Sequence, residues 1–223
     1  MYNYIYYLFL LFLSFEIILY ILVHFLKSDF KWIITKKDEF PFKSKFEFNK
    51  FFKYSFDKKT GWDRKKNTSG FEILNGRKSY FNITKNGFRN TPLKNKKSLI
   101  SVFGDSYAFC RYVNDNKTWE ASLEKKIKSC VKNFGVGNFG LDQSFLKYKK
   151  IKSTKSTKLI IFAFVPETIV RINSYWKHYS EFGNKFGFKP LFKIQGDKLV
   201  LKENILYKNI KIKTLKKKIF KVK

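Results

Sequence analysis

The longest apolar stretch of the chain lies at its beginning. Residues 4–26, YIYYLFLLFLSFEIILYILVHFL, contain one acid, Glu16, and one histidine, His24, among side chains that are otherwise apolar or weakly polar. A helix rises about 1.5 Å per residue, so a segment of this length crosses the roughly 30 Å hydrocarbon core of a bilayer. A cleaved signal peptide has basic residues before its apolar core and a small-x-small cleavage site after it. In this chain no basic residue precedes Lys27, and no such cleavage site follows the apolar stretch. We therefore predict a retained, single-pass transmembrane anchor over residues 1–26.

Regular patterning is weak in residues 27–74, which we interpret as a linker or a segment lying on the surface. Basic and aromatic residues are mixed through 27–60, and turn-forming residues dominate 61–70. Two Asn-Gly pairs within 75–90 then predict a β-hairpin or an extended segment. We place the start of the folded domain at residue 75 and extend the domain to residue 223.

From residue 98 onward, short apolar runs alternate with helical patterns. The runs are typical of buried strands and lie at 99–103, 130–134 and 158–165. The first intervening helix has Asp115 or Asn116 as its predicted N-cap, and the second has Asp142. Strands that alternate with helices predict an α/β fold with a parallel sheet covered by helices. Functional sites in such sheets lie at the carboxyl ends of the strands.

The C-terminal part of the chain carries two further patterns. A Gly-Asp turn separates the apolar runs Leu191–Ile194 and Leu199–Leu201, so a β-hairpin is predicted over 189–204. Residues 208–223 contain eight lysines, and we interpret them as a solvated helix or a frayed tail.

The charge of the chain changes this picture little. A formal charge of +30 suggests nucleic acid or an anionic surface as a partner. Of the 47 basic residues only 5 are arginine, however, and the lysines are spread over the whole chain rather than gathered in one motif. Because phosphate-reading surfaces favour the planar fork of arginine, we exclude nucleic acid as a partner.

The two cysteines, Cys110 and Cys130, form no CxxC pattern, so a metal cluster is not expected. A disulfide between them in an oxidising compartment and two free, buried thiols both agree with their placement. We expect neither a metal nor a cofactor.

Three segments directly follow the predicted strands and are therefore expected at one rim of the sheet. They are GDS at 104–106, GVGNFG at 135–140 and VPETI at 165–169. In order and spacing, FGDSYAF, VKNFGVGNFGLDQ and LIIFAFVPETIVRIN resemble the SGNH/GDSL hydrolases over residues 75–205. The resemblance implies a flavodoxin-like, three-layer α/β/α sheet and an esterase or acyl hydrolase with Ser106 as its nucleophile.

The resemblance also implies which groups stabilise the oxyanion of the tetrahedral intermediate. Backbone N–H groups of Ser106 and of the loop 135–140 would donate to it, together with a Gly of the family's second block and an Asn of its third. The Gly position falls on Asn138, a residue type that tolerates left-handed geometry, and Glu167 and Thr168 replace the Asn. The predicted active-site positions besides Ser106 are Gly104, Asp105, Gly135, Gly137, Asn138 and Thr168, with Glu167 and Arg171 as substrate contacts.

Each of these positions also has a plainer interpretation. Ser106 can be a small residue in a tight corner, and the glycines can serve only to turn the chain. Arg171 can form a surface salt bridge instead of contacting a substrate.

The chain departs most clearly from the family at the C-terminal block. The family's D-x-x-H is absent, and the downstream histidine is His178, close to Trp176 in the sequence. We expect the catalytic Asp and His, with one strand and one helix of the sheet, to lie beyond residue 223 in an intact homologue. Within the chain, His178 and Glu167 are the candidates to replace the missing base. The plainer interpretation of His178 is a surface histidine without a catalytic role.

Two functions follow from these patterns. The first is a membrane-anchored esterase that removes acyl groups, such as acetyl groups of envelope glycans, on the extracytoplasmic side. By the positive-inside rule, the lysines after the anchor would place the following domain on the cytoplasmic side. The rule depends on a difference in basic residues between loops, however, and this chain is rich in lysine throughout. The alternative is a catalytically degenerate protein that binds an acylated ligand or a partner with the same fold. A polybasic membrane-surface protein, suggested by composition alone, is a third hypothesis.

Overall fold

The computed structural model describes residues 2–30, 45–151, 157–180 and 184–206. The chain forms two compact units, Met1–Pro41 and Phe42–Lys223. Residues 208–223, predicted to be a helix or a tail, lie outside the described residues.

The first unit contains one helix, α1, over Tyr2–Asp29. Apolar side chains surround the helix on all sides, and none of the stretch Asn3–Asp29 is buried inside the protein. A helix that is apolar around its whole circumference needs an apolar environment. The predicted apolar helix is confirmed as one long enough to cross a membrane, a criterion that a signal sequence also meets.

The second unit has mixed α/β structure. Its described strands are β1 (Phe56–Asp57), β2 (Gly61–Trp62), β3 (Thr68–Leu74), β4 (Arg77–Ile83), β5 (Ser98–Gly104), β6 (Cys130–Asn133), β7 (Leu159–Ala163), β8 (Leu191–Gln195) and β9 (Lys198–Lys202). Its described α-helices are α2 (Lys45–Tyr54), α3 (Ser106–Phe109), α4 (Trp119–Ile127), α5 (Leu141–Lys150) and α6 (Lys177–Ser180). Single 3₁₀ turns cover Asp115–Lys117 and Pro166–Arg171.

The centre of this unit is a three-stranded parallel sheet with the strand order β6-β5-β7. Successive residues of a strand point to opposite faces of the sheet. Val102 of β5 packs with Ala108 of α3 and Leu123 of α4 on one face. Phe103 packs against Tyr148 of α5 on the other face, with ring centroids 5.6 Å apart. Helices therefore cover both faces, as the alternation of strands and helices predicts.

The hairpin predicted over 189–204 is present, whereas the segment 75–90, predicted as a hairpin or extended chain, supplies the turn and the second strand of a hairpin that begins at Thr68. β3 and β4 pair antiparallel around Asn75 and Gly76, whose positive φ angles of 48° and 74° suit the tight turn of a two-residue hairpin. β8 and β9 pair antiparallel around Gly196 and Asp197.

Residues 45–74, predicted as a linker or a segment lying on the surface, form a helix and short strands of the second unit. α2 buries Phe48 against Phe186, with ring centroids 5.6 Å apart. Trp62 of β2 is buried beside Phe139. These residues show no periodic pattern because they pack as short pieces against elements far along the chain.

The helix caps also differ from those predicted. Thr118, rather than Asp115 or Asn116, caps α4 and accepts a hydrogen bond from the Ala121 N–H at 3.1 Å. Gly140 precedes α5, and Asp142 lies within its first turn. The side chain of Asp115 is used elsewhere, because it accepts from the backbone N–H and amide of Asn82 on the edge of β4.

Arg89 joins the elements around α3. Its guanidinium is almost fully buried and donates to the carbonyl oxygens of Phe109, Cys110 and Val113 at 2.6, 2.8 and 2.5 Å. The same group forms an ion pair with Asp115 at 2.8 Å. The last carbonyls of a helix lack partners within the helix, so Arg89 satisfies the end of α3 and the loop after it.

Replacing Arg89 by lysine is expected to lower the free energy of unfolding by about 3 kcal/mol, because an ammonium cannot reach all these acceptors and leaves buried groups unpaired. Urea denaturation of the full chain in detergent, followed by tryptophan fluorescence, measures the change. Arg77→Lys, at an exposed position of β4, is the matched control. Equal midpoints for the two variants would contradict the assigned role of Arg89.

Candidate functional site

Ser106 lies where the central strand turns into a helix. β5 ends at Gly104, Asp105 caps α3 by accepting from the Tyr107 N–H at 2.8 Å, and Ser106 is the first residue of the helix. Ser106 is half-buried and Tyr107 is exposed. Within the described part of the chain, the Ser106 hydroxyl makes no hydrogen bond to another residue. The hydroxyl is therefore held at the rim of the sheet without being committed to a structural contact.

Two of the predicted glycines are required by close packing. A Cβ on Gly104 would lie 2.0 Å from the carbonyl oxygen of Ala163 and 2.6 Å from Cβ of Ala108. A Cβ on Gly135 would lie 2.4 Å from the backbone nitrogen of Phe109. These distances are below any van der Waals contact, so α3 sits directly on the ends of the strands only because both positions are glycine.

The loop after β6 is fixed beside the same turn. The Asn133 amide donates to the Ala108 carbonyl at 2.7 Å, and its oxygen accepts from the Gly135 N–H at 2.9 Å. The Val136 N–H donates to the Gly104 carbonyl at 3.0 Å. The second and first rim segments are thus brought together, as predicted.

Three backbone donors remain unused at this junction. The N–H groups of Ser106, Gly137 and Asn138 donate to no other residue that the structure describes. Asn138 has a φ of 67°, a left-handed geometry that asparagine tolerates. A backbone N–H group without a partner is able to donate to a negatively charged oxygen.

The third rim segment makes different contacts from those predicted for it. The Thr168 hydroxyl is buried and donates to the Val165 carbonyl at 2.8 Å, so it is occupied within its own 3₁₀ turn. Glu167 is exposed. Arg171 is buried, donates to the Phe139 carbonyl at 2.8 Å, and approaches the Asp105 carboxylate to 3.8 Å. Arg171 therefore ties this segment to the other two.

Buried charges lie behind the rim. Asp142 pairs with Lys189, and both side chains are nearly inaccessible to solvent. Burial raises the pKa of Asp142 and lowers that of Lys189, while their mutual attraction opposes both shifts. One carboxylate oxygen of Asp142 and one of Asp105 accept no hydrogen bond from the described residues.

No described residue is in place to act as a base for Ser106 through a direct hydrogen bond. His178 is buried, with its ring centroid 4.9 Å from that of Trp176, rather than exposed on the surface. The other histidine of the sequence, His24, lies in α1.

Residues outside the predicted site hold its loop in place. The Trp62 indole donates to the Gly137 carbonyl at 3.1 Å. The Gln143 side chain accepts from the Gly140 N–H at 3.1 Å and donates to the Thr60 carbonyl at 2.6 Å. Neither contact has a signal in the local pattern, because the partners of Trp62 and Gln143 are 75 and 83 residues away.

A cleft of about 580 Å³ reaches this loop. Gly137 and Asn138 lie in its wall together with aromatic and charged side chains, among them Trp62, Arg64, Glu72 and Arg111. Glu72 accepts from both Arg64 and Arg111 at 3.1 Å. The cleft therefore presents aromatic surface and paired charges next to Gly137 and Asn138, whose backbone N–H groups have no described acceptor.

The described residues contain no group of three or more metal-binding side chains. Cys110 and Cys130 are free thiols. Comparison of the chain with models of protein families, with curated proteins and with solved structures finds no match in any of the three.

A buried carboxyl group lies close to the end of α3. Glu120 is 1% exposed, and the Cys110 thiol donates to it at 3.2 Å. Burial raises the pKa of Glu120 to about 7. Burial and the nearby Glu120 raise the pKa of Cys110 to about 12, so this thiol stays protonated at neutral pH.

Replacing Glu120 by glutamine is expected to flatten the dependence of stability on pH. The folded chain holds the Glu120 proton more tightly than the unfolded chain, so proton binding at Glu120 adds to the free energy of unfolding. This added stability is complete below pH 4.5 and is lost as the pH rises to about 7. The total loss is about 3 kcal/mol. The measurement is urea denaturation between pH 5 and 8, with Glu203→Gln at an exposed position as the control. A Glu120→Gln curve parallel to that of the unmodified chain would reject the assignment.

Proposed function

We propose that the chain is a membrane-anchored ester hydrolase of the SGNH/GDSL type that uses Ser106 as its nucleophile. The observation that carries the proposal is a serine hydroxyl without a described hydrogen-bond partner at the start of α3, where the loop after β6 is bonded to the same turn through the Val136 N–H and the Gly104 carbonyl. The flavodoxin-like arrangement implied by the family agrees with a parallel sheet covered by helices on both faces.

The chemistry of the site follows from this arrangement. The Ser106 oxygen attacks an ester carbonyl carbon, its proton passes to a base, and the carbonyl oxygen becomes an oxyanion. The N–H groups of Ser106, Gly137 and Asn138 are the candidate donors to this oxygen. Thr168 is not a further donor, because its hydroxyl bonds to Val165. The base is the missing component, and it has to come from a group other than the described neighbours of Ser106.

The substrate we propose is an acyl or acetyl ester on an envelope glycan. Support comes from the cleft beside Gly137 and Asn138, whose aromatic and paired charged side chains suit the apolar faces and hydroxyls of a sugar. The length and apolar character of α1 support a membrane anchor. The proposed substrate requires the second unit to lie on the extracytoplasmic side.

Replacing Ser106 by alanine is expected to abolish covalent labelling by a fluorophosphonate and to lower hydrolysis of a nitrophenyl acetate by at least about 10³-fold, because no other group supplies the nucleophile. Mass spectrometry of the labelled full chain locates the adduct. Ser122→Ala, at an exposed position of α4, is the matched control. An unmodified chain that neither labels nor hydrolyses the ester would refute the hydrolase proposal.

Substitutions of Asn138 test whether its backbone N–H, and not its side chain, serves the reaction. Asn138→Gly keeps the N–H and the left-handed geometry, so hydrolysis should stay within about twofold of the unmodified chain. Asn138→Val opposes that geometry by about 1–2 kcal/mol and is expected to lower the rate by about 10-fold or more as the donor moves. Equal loss in both variants would assign the effect to the amide side chain.

A catalytically degenerate binding protein is the alternative function. The observation that favours it is the lack of a base hydrogen-bonded to Ser106 among the described residues. Such a protein would bind an acylated sugar equally well before and after Ser106→Ala, and the unmodified chain would show no turnover. Turnover that disappears in Ser106→Ala excludes it.

A further inference from the structure

The β8–β9 hairpin presents an apolar face to solvent. Its register pairs Phe192 with Leu201 and Ile194 with Leu199 across the two strands. Residues that are directly opposite in an antiparallel pair share a face, so these four side chains form one continuous apolar surface. Ile194 is 80% exposed, Leu199 66% and Leu201 42%. This surface, which we call the hairpin face, is the reverse of the usual pattern in which the solvated face is polar.

Lysines lie on the opposite face of the hairpin. They are Lys193 and Lys198, with Lys202 nearer its base, and the nearby acids are Asp197 at the turn and Glu203. A groove of about 360 Å³ adjoins Leu201 and is lined by Lys58, Lys59 and Lys149, together with Lys150, which is paired with Asp57 and Asp63. An apolar face with lysines on the opposite face is typical of amphipathic segments that lie in the interface of an anionic bilayer.

The β3–β4 hairpin also exposes apolar side chains, but its surface is partly covered. Lys78 lies over the rings of both Phe71 and Tyr80, at 4.0 and 5.4 Å from their centroids. No such cover is present over Ile194 or Leu199 in the described part of the chain, where both are among the most exposed aliphatic side chains. The hairpin face is therefore the stronger candidate for a docking surface.

We propose that the hairpin face inserts into the headgroup region of an anionic membrane. The inference rests on the membrane anchor of the proposed function, and it adds a second contact with the bilayer. The lysines of the hairpin and of the adjoining groove complement anionic headgroups.

The hairpin offers its own matched control. Ile194 belongs to the hairpin face, whereas its neighbour Gln195 pairs with Lys198 on the opposite face. Ile194→Cys and Gln195→Cys are labelled with the environment-sensitive fluorophore NBD in the full chain, which is then reconstituted into vesicles of phosphatidylcholine with or without phosphatidylglycerol. Unsubstituted chain taken through the same labelling corrects for Cys110 and Cys130, of which Cys130 is fully buried.

The expected result is a blue shift of the fluorophore at 194 in anionic vesicles, with quenching by doxyl-labelled lipid, and no shift at 195. The shift should weaken in vesicles of phosphatidylcholine alone and at high salt, because screening removes the attraction of the lysines. The same emission at both positions in lipid overturns the proposal. A blue shift at 194 that is already present in detergent, with cross-linking between chains, also overturns it and assigns the hairpin face to a second copy.

Alkaline carbonate extraction of the same vesicles tests the anchor separately. A chain that resists extraction while its two probes behave alike keeps the anchor and refutes the hairpin contact. A chain that is extracted but shows the blue shift at 194 before extraction refutes the anchor and supports the hairpin contact. Neither readout depends on ester hydrolysis, so failure of the hydrolase proposal is seen independently.

Discussion

The close approach of α3 to the ends of the parallel strands is the constraint on which the site depends. Gly104 meets the backbone of Ala163, and Gly135 meets the backbone of Phe109, at distances that leave no room for a side chain. This packing brings the end of the central strand, the start of a helix and the loop after β6 into one junction. Ser106 is the first residue of the helix that begins at this junction.

Buried polar contacts hold this junction from both sides. Arg89 binds three carbonyl oxygens after α3, and Arg171 binds Phe139 close to Asp105. On the far side, the buried ion pair of Lys147 with Asp63 at 2.7 Å fixes α5 to the chain after β2. Each contact satisfies groups that would be costly to leave unpaired away from water. The rim is thus rigid where its backbone donors are, while the serine hydroxyl itself is left unbound.

How far the sequence predicts this structure depends on the range of the contacts. The three strands of the central sheet and the β8–β9 hairpin are encoded by neighbouring residues, so apolar runs and turn residues suffice to find them. The packing of Trp62 on Gly137 is decided by a partner 75 residues away, and residues 45–74 therefore look like a linker. The sequence pattern also does not predict that Arg171 is buried or that the Thr168 hydroxyl donates to Val165. A residue type alone does not determine which of several nearby acceptors its side chain binds.

The open edge of the central sheet has a consequence for how the chain folds. β7 pairs with β5 and with no other described strand, although its sequence is apolar and Leu159 is about half exposed. β5 and β7 are separated by more than fifty residues, so this pairing forms late relative to local structure. Until then, β7 offers unpaired backbone groups to other chains. When the protein is overproduced, aggregation therefore competes with correct strand pairing. Slower synthesis should raise the yield of monodisperse protein.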